Sequence, residues 1–288
     1  MLRLCLSTGD SRLVLVPDVG GGIGELVIGG RKILRGASPS DLAPNDPLLL
    51  GEFPMTPWVN RVAGGAFVWR GQRIDVSGAP VNEALGLHGF GWRMPWRTEA
   101  ATETYAELAL DWPGGAIWPL ACRTVRRFWL TPSAALMQME IQNRCSGPMP
   151  AALGWHPYFP SAGATLQTIV AAGWATDSRM VPSERSLPDV VQALTRGAKV
   201  SDLALDTCFD GWSCEAHIHY PTHQVAVRAE GCGYLQIYTP SGTGHFCLEP
   251  QTAMPDALNR GASAGLRVLA PGRAMQVSMR LELKAAGL

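Results

Sequence analysis

Between residues 123 and 142 the chain carries two arms, RTVRRFWL and ALMQMEIQ, on either side of Thr131-Pro132-Ser133. In the second arm Met137, Met139 and Ile141 alternate with Gln138, Glu140 and Gln142. An extended strand sends successive side chains to opposite faces, so this period of two predicts a hairpin with one face in a core and the other in water. The end of the chain repeats the pattern, with Val277, Met279, Leu281 and Leu283 set against Ser278, Arg280 and Glu282. Further arms of this kind occupy residues 12–16, 26–28, 66–70, 105–112, 165–171, 217–220, 224–230 and 234–239, each bounded by Gly, Pro, Asp or Ser. The longest window open to a helix, between Pro95 and Pro113, itself alternates through Leu108, Leu110 and Trp112. The pattern predicts an all-β fold, a large antiparallel β-sandwich, with residues 1–288 forming one domain. No fixed internal period is present, which argues against a propeller.

Composition agrees with this reading. The 32 glycines and 22 prolines are scattered along the chain, leaving little room for long helices. Apolar residues make up 47% and charged residues 17%, enough apolar material for a large core and too much for a disordered chain. The 24 basic and 24 acidic side chains cancel, and no basic face or polybasic run marks a nucleic-acid or anionic-membrane binder. No apolar run approaches the roughly 18 residues of a membrane span, and the N-terminus lacks a leader pattern. Seven cysteines without a C-x-x-C pair predict reduced thiols and a cytoplasmic protein rather than a disulfide framework or zinc knuckle.

Three patterns invite chemistry and fail closer reading. Gly20-Gly21-Gly22-Ile23-Gly24 misses the G-x-G-x-x-G spacing, and Glu25-Leu26-Val27-Ile28 is strand-like where a dinucleotide fingerprint needs a helix, so it predicts a turn between strands. His217, His219 and His223 could ligate a metal, but Pro221-Thr222 predicts a hairpin turn that moves His223 to the partner arm, and no metal site is expected there. No G-x-S-x-G elbow supports serine hydrolysis.

Four segments are richer: Asn60-Arg61-Val62-Ala63-Gly64-Gly65-Ala66-Phe67; Leu87-His88-Gly89-Phe90 with Pro95-Trp96; Gly154-Trp155-His156-Pro157-Tyr158-Phe159; and Leu248-Glu249-Pro250-Gln251-Thr252 with Pro255-Asp256-Ala257 and Asn259. Each sets one or two polar side chains among Gly, Pro and aromatic residues, as a rigid pocket with a few aimed polar groups requires. Taken singly, each could equally be a loop with a satisfied histidine or a capping asparagine.

In this order, and with Asp206-Thr207-Cys208-Phe209 and Gln236-Ile237-Tyr238-Thr239, they resemble the aldose 1-epimerase (galactose mutarotase) family over nearly the whole chain. The resemblance implies a large antiparallel β-sandwich, in agreement with the alternation. It also implies interconversion of the α and β anomers of a free aldose, with no cofactor and no metal. A base takes the proton of the C1 hydroxyl and an acid delivers one to the ring oxygen. The resemblance maps the base onto Glu249 and the acid onto His156, and places Asn60, Arg61, His88, Asp206 and Gln236 around the sugar. Trp58, Trp92 and Trp155 are available to stack on a pyranose face.

The segment Leu87-His88-Gly89-Phe90-Gly91-Trp92 departs from the L-H-G-G of galactose-preferring members, which leaves sugar preference open. Two alternatives share the resemblance: a hexose-6-phosphate 1-epimerase and a noncatalytic sugar-binding protein. A phosphate would call for extra cations beside the pocket motifs, and Arg93 and Arg97 are the candidates.

Overall fold

The computed structural model describes residues 2–36, 46–78, 86–178 and 180–285. Two large sheets dominate it, and every pairing between strands is antiparallel. One has eleven strands, running in the order Leu4–Thr8, Ser11–Val16, Gly22–Ile28, Glu52–Met55, Gly154–Pro160, His245–Gln251, Tyr234–Tyr238, Asp206–Asp210, Ala172–Thr176 and Pro182–Ser186, with Arg31–Lys32 added beside Gly22–Ile28. The nine-stranded sheet runs Ala198–Lys199, Thr165–Thr168, Glu215–Tyr220, His223–Glu230, Ala274–Ala285, Ala134–Asn143, Cys122–Leu130, Tyr105–Trp112 and Arg97–Ala101. One buried apolar cluster draws residues from both, among them Leu13, Ile23, Phe159, Leu248 and Ile237 from the first and Leu108, Phe128, Met139, Val227 and Met279 from the second.

The alternating segments fold as the expected arms. Cys122–Leu130 pairs with Ala134–Asn143, and Met137, Met139 and Ile141 are fully buried. Tyr220 stands opposite His223 across the two-residue turn Pro221-Thr222. The glycine run joins Ser11–Val16 to Gly22–Ile28, two paired strands. Among the described residues, seven non-glycine positions have positive φ, and three of them, Asn60, His88 and Asp256, lie in the segments singled out for chemistry.

Two expectations need correction. The arm read over 165–171 stops at Thr168, and the chain then crosses to the other sheet and resumes at Ala172–Thr176. The crossing is held from outside the arm, where the Ser213 and Ala171 N–H groups donate to Ile169 and Asp210 carbonyls, contacts that periodicity does not contain. The nine-residue helix Pro188–Arg196 was not read either. Its signals are local: Pro188 in the first turn, Asp189 beside it, Arg196 in the last turn and Gly197 just beyond.

Candidate active site

The site lies on the outer face of the eleven-stranded sheet, where the alternation of five neighbouring strands coincides. Gln236 is opposite Glu249, and Cys208 opposite Gln236; His156 is opposite Phe53 on the next strand. One row further along, Asp206 faces Tyr238, Tyr238 faces Cys247, and Cys247 faces Tyr158. Intervening residues such as Trp155, Phe159, Ile237 and Leu248 point the other way, into the core. Strand spacing of about 4.8 Å therefore sets Gln236, Glu249 and His156 side by side without any loop.

Loops close the other walls. Asn60 and His88 both hold left-handed backbone, with φ of 52° and 63°, and the His88 N–H donates to the Asn60 carbonyl at 3.0 Å. Gly89 has φ of 71° and passes so close to Thr56 that a Cβ would lie 2.1 Å from the Thr56 carbonyl oxygen. Only glycine fits there, which explains the His-Gly pair of the motif. Asp256 accepts the Ala63 N–H at 2.9 Å and the Asn259 side-chain N–H at 2.7 Å, and its own N–H donates to the Arg61 carbonyl at 2.7 Å. The Pro255-Asp256-Ala257-Leu258-Asn259 segment thus fastens the Asn60-Arg61 loop.

A cleft of about 220 Å³ results, lined by Leu48, Asn60, Arg61, Leu87, His88, His156, Tyr158, Asp206, Gln236, Tyr238 and Glu249. All seven residues named from the sequence are among them. Arg61 reaches Asp206 at 3.1 Å, and Gln236 donates to the other Asp206 oxygen at 2.6 Å. His156 Nε2 is 3.3 Å from Glu249 Oε1. Phe53 stacks on the His156 ring with centroids 4.3 Å apart, and Trp92 stacks on Phe53 at 4.9 Å.

Burial governs the titration of the pair. It pushes the Glu249 carboxyl well above the usual carboxylate range, helped by the Asp206 charge and opposed by Arg61. It pulls His156 down to about 3, reinforced by the positive charge of Arg35. His88 is also held well below its ordinary value, by burial and then by His156 and Arg61. Removed from water, carboxyl and imidazole both favour their neutral forms.

Four polar atoms of the cleft residues have no hydrogen-bond partner within the protein: His88 Nδ1, His156 Nδ1, Gln236 Oε1 and Glu249 Oε2. Buried polar atoms are normally paired, and these four make the cleft a candidate ligand site.

The aromatic expectations need revision. Trp58, Trp92 and Trp155 are at most 1% exposed and belong to the core. Their indole N–H groups explain two of the three placements: Trp58 donates to the Gly86 carbonyl at 2.6 Å and Trp92 to the Gly89 carbonyl at 3.1 Å. The cleft's aromatics are Tyr158 and Tyr238. Each stands two positions after an expected site residue, His156 and Gln236, so the alternation contained the signal. Arg35 was also missed. Its guanidinium lies 3.7 Å from the Tyr158 ring centroid and donates to the Leu48 carbonyl and, at 2.9 Å, to the Leu50 carbonyl, tying the rim to the sheet.

Arg93 and Arg97 do not line the cleft. The Arg93 guanidinium lies over the Trp92 ring at 4.2 Å, and Arg97 bridges Glu99 and Asp111 on the far sheet. The surface histidines have partners of their own: His217 is 3.2 Å from Glu215 and 2.6 Å from the Gln224 amide, and His223 stacks on Tyr220. Among the described residues, His156, Cys247 and Glu249 form the group with potential metal-ligand atoms close together. All seven cysteines are free thiols, and among the described residues no helix is long and apolar enough to cross a membrane.

The fold, two large antiparallel sheets with this cleft on one of them, is that of galactose mutarotase-like structures. The aldose 1-epimerase profile matches residues 3–282, and the chain belongs to that family. It is 27% identical to YphB of Escherichia coli K12, a protein described as uncharacterized, over 97% of this chain and 98% of YphB. YihR of the same organism, likewise uncharacterized, is 25% identical over 89% of this chain and 85% of its own. A galactose mutarotase-like protein from Clostridium acetobutylicum superposes with a TM-score of 0.87 at 21% identity, over 98% of this chain and 95% of that one, a likeness of fold.

Proposed function

We propose that the protein is a mutarotase acting on a free aldose, with Glu249 and His156 as its two proton carriers. The observation that carries this reading is the 3.3 Å pair of opposite titrating character in a cleft whose unpartnered polar atoms match sugar hydroxyls. Opening the ring transfers the O1 proton to the Glu249 carboxylate and the His156 imidazolium proton to O5 as the C1–O5 bond breaks. The aldehyde turns about C1–C2, and closure reverses both transfers on the other face. After opening, Glu249 is protonated and His156 neutral, the state that burial favours. The site thus stabilises the open-chain stage of the cycle relative to the ion-pair stage that flanks it. Proton exchange across the Nε2–Oε1 contact connects the two forms without solvent.

Asn60, Arg61, His88, Asp206 and Gln236 offer donors and acceptors to hydroxyls, and Tyr158, Tyr238, Leu48 and Leu87 offer apolar wall. Two carboxyl residues line the cleft against one guanidinium, already paired with Asp206. That balance suits an uncharged sugar better than a phosphate dianion, which needs several unpaired donors. Polarimetry of freshly dissolved α-glucose, α-galactose and other aldoses with catalytic protein tests the reading. Accelerated decay of rotation toward equilibrium is expected. A flat response to every free aldose, with turnover of glucose 6-phosphate, would replace it by the phosphate reading.

A further inference from the structure

The mechanism leaves one buried thiol beside the proton pair unused. Cys247 is two positions from Glu249 on the same face of its strand, sits opposite Tyr158, and is fully buried. Ligand atoms of His156, Cys247 and Glu249 all lie within 4.8 Å of one another, and the imidazole and carboxyl approach to 3.3 Å. Around a tetrahedral zinc ion bound at about 2.0 to 2.3 Å, ligand atoms are roughly 3.3 to 3.8 Å apart. Small side-chain rotations therefore separate this arrangement from a three-ligand site. His156 Nδ1 and Glu249 Oε2 have no partner within the protein, so ring and carboxyl can turn with little loss.

We propose that His156, Cys247 and Glu249 form an inhibitory site for zinc or a late transition-metal cation of similar softness. The sulfur, nitrogen and oxygen donor set selects such ions over magnesium or calcium. Binding releases two protons, one from the Cys247 thiol and one from the Glu249 carboxyl. A dication with a thiolate and a carboxylate then leaves the site as a whole uncharged, which a buried location tolerates. The ion occupies the lone pairs that anomerisation needs. Inhibition rests on the mutarotase reading; the binding itself does not.

Cobalt(II) titration of the full chain, followed by absorption, tests the site independently of turnover. The expected result is one cobalt per chain with a near-ultraviolet thiolate-to-metal band, displaced by zinc. Cys247→Ser should abolish that band, whereas Cys208→Ser, at the next thiol on this face, should keep it. Absence of the band in the wild-type chain, or its survival in Cys247→Ser, overturns the proposal. His156→Asn, which keeps every thiol, should weaken cobalt binding by about tenfold or more; unchanged binding overturns it equally. Zinc should lower the mutarotation rate at least about tenfold, with recovery on adding EDTA, and zinc that displaces cobalt yet leaves the rate intact refutes the inhibition. A chain that binds cobalt through the thiolate but turns over no sugar would sink the mutarotase reading and leave the metal site standing.

Discussion

Glu249 and His156 are ordinary residue types made unusual by where they stand. Glu249→Gln and His156→Asn keep shape and remove proton transfer, so each should lower kcat by roughly 10² to 10⁴. Polarimetry under saturating sugar reads the loss, and retention of more than about a tenth of the wild-type kcat would remove that residue from the proton-carrying role. The same burial makes a second prediction for stability. The unfolded chain binds the His156 proton with a pKa of about 6.5, the folded chain with one of about 3. His156 therefore contributes stability that is fully present above pH 6.5 and is lost as pH falls toward 3. His88 acts in the same direction, whereas Glu249, whose folded value is raised, contributes stability that fades as pH rises through that value. Urea unfolding across that acidic window should show a shallower fall for His156→Asn than for the wild-type chain; equal slopes would mean that His156 is protonated in the fold.

At the scale of elements, the sheet supplies some site residues and the loops supply others, and the two sets depend on different forces. Gln236, Glu249 and His156 are held by ladder hydrogen bonds along three adjacent strands. The loop that carries Asn60 and Arg61 is fastened by the buried Asp256 carboxylate, which accepts from the Ala63 N–H and the Asn259 side chain and meets Arg260 at 3.4 Å. Asp256→Ala strands those donors and should destabilise the fold by about 1 to 3 kcal/mol. Because it loosens the residues proposed to position the sugar and leaves the proposed proton pair in place, it should raise KM several-fold more than it lowers kcat. Steady-state kinetics decides: an equal loss in kcat with KM unchanged would place Asp256 in the chemical step instead.

Across the whole molecule the two sheets are pinned by a fully buried ion pair. Glu52 projects from the site-bearing sheet on the face opposite Phe53, and both its oxygens accept from Arg126 of the nine-stranded sheet, at 2.8 and 2.7 Å. Arg126 also donates to the Gly21 carbonyl at 2.6 Å. Burial draws both groups toward neutrality, and their mutual attraction opposes it. Arg126→Met leaves a buried unpaired carboxylate and should cost roughly 3 to 5 kcal/mol, whereas Glu52→Leu with Arg126→Met should recover most of the loss. Urea denaturation of the two variants makes the comparison, and a double variant no more stable than the single one would show that the pair is not coupled.

The chain's own alternation determined the class of fold, because a period of two is a property of neighbours along a strand and needs no distant contact to be visible. Asn60, Arg61, His88, His156, Asp206, Gln236 and Glu249 came instead from the resemblance to aldose 1-epimerase motifs; composition alone marked only the segments around Asn60, His88, His156 and Glu249, as polar groups set among Gly, Pro and aromatic residues. Which tryptophans face the core was decided only in three dimensions: Trp58 and Trp92 lie outside the strands, where no alternation applies, and contacts from other parts of the chain bury them, whereas Tyr158, two positions after His156, was within reach of the pattern. Arg35 was invisible for a similar reason, as its partners at Leu48, Tyr158 and His245 come from separate parts of the chain. The protonation of the pair likewise belongs to the tertiary structure. Residue type sets the ordinary pKa, but withdrawal from water, which no local pattern records, moves Glu249 up and His156 down.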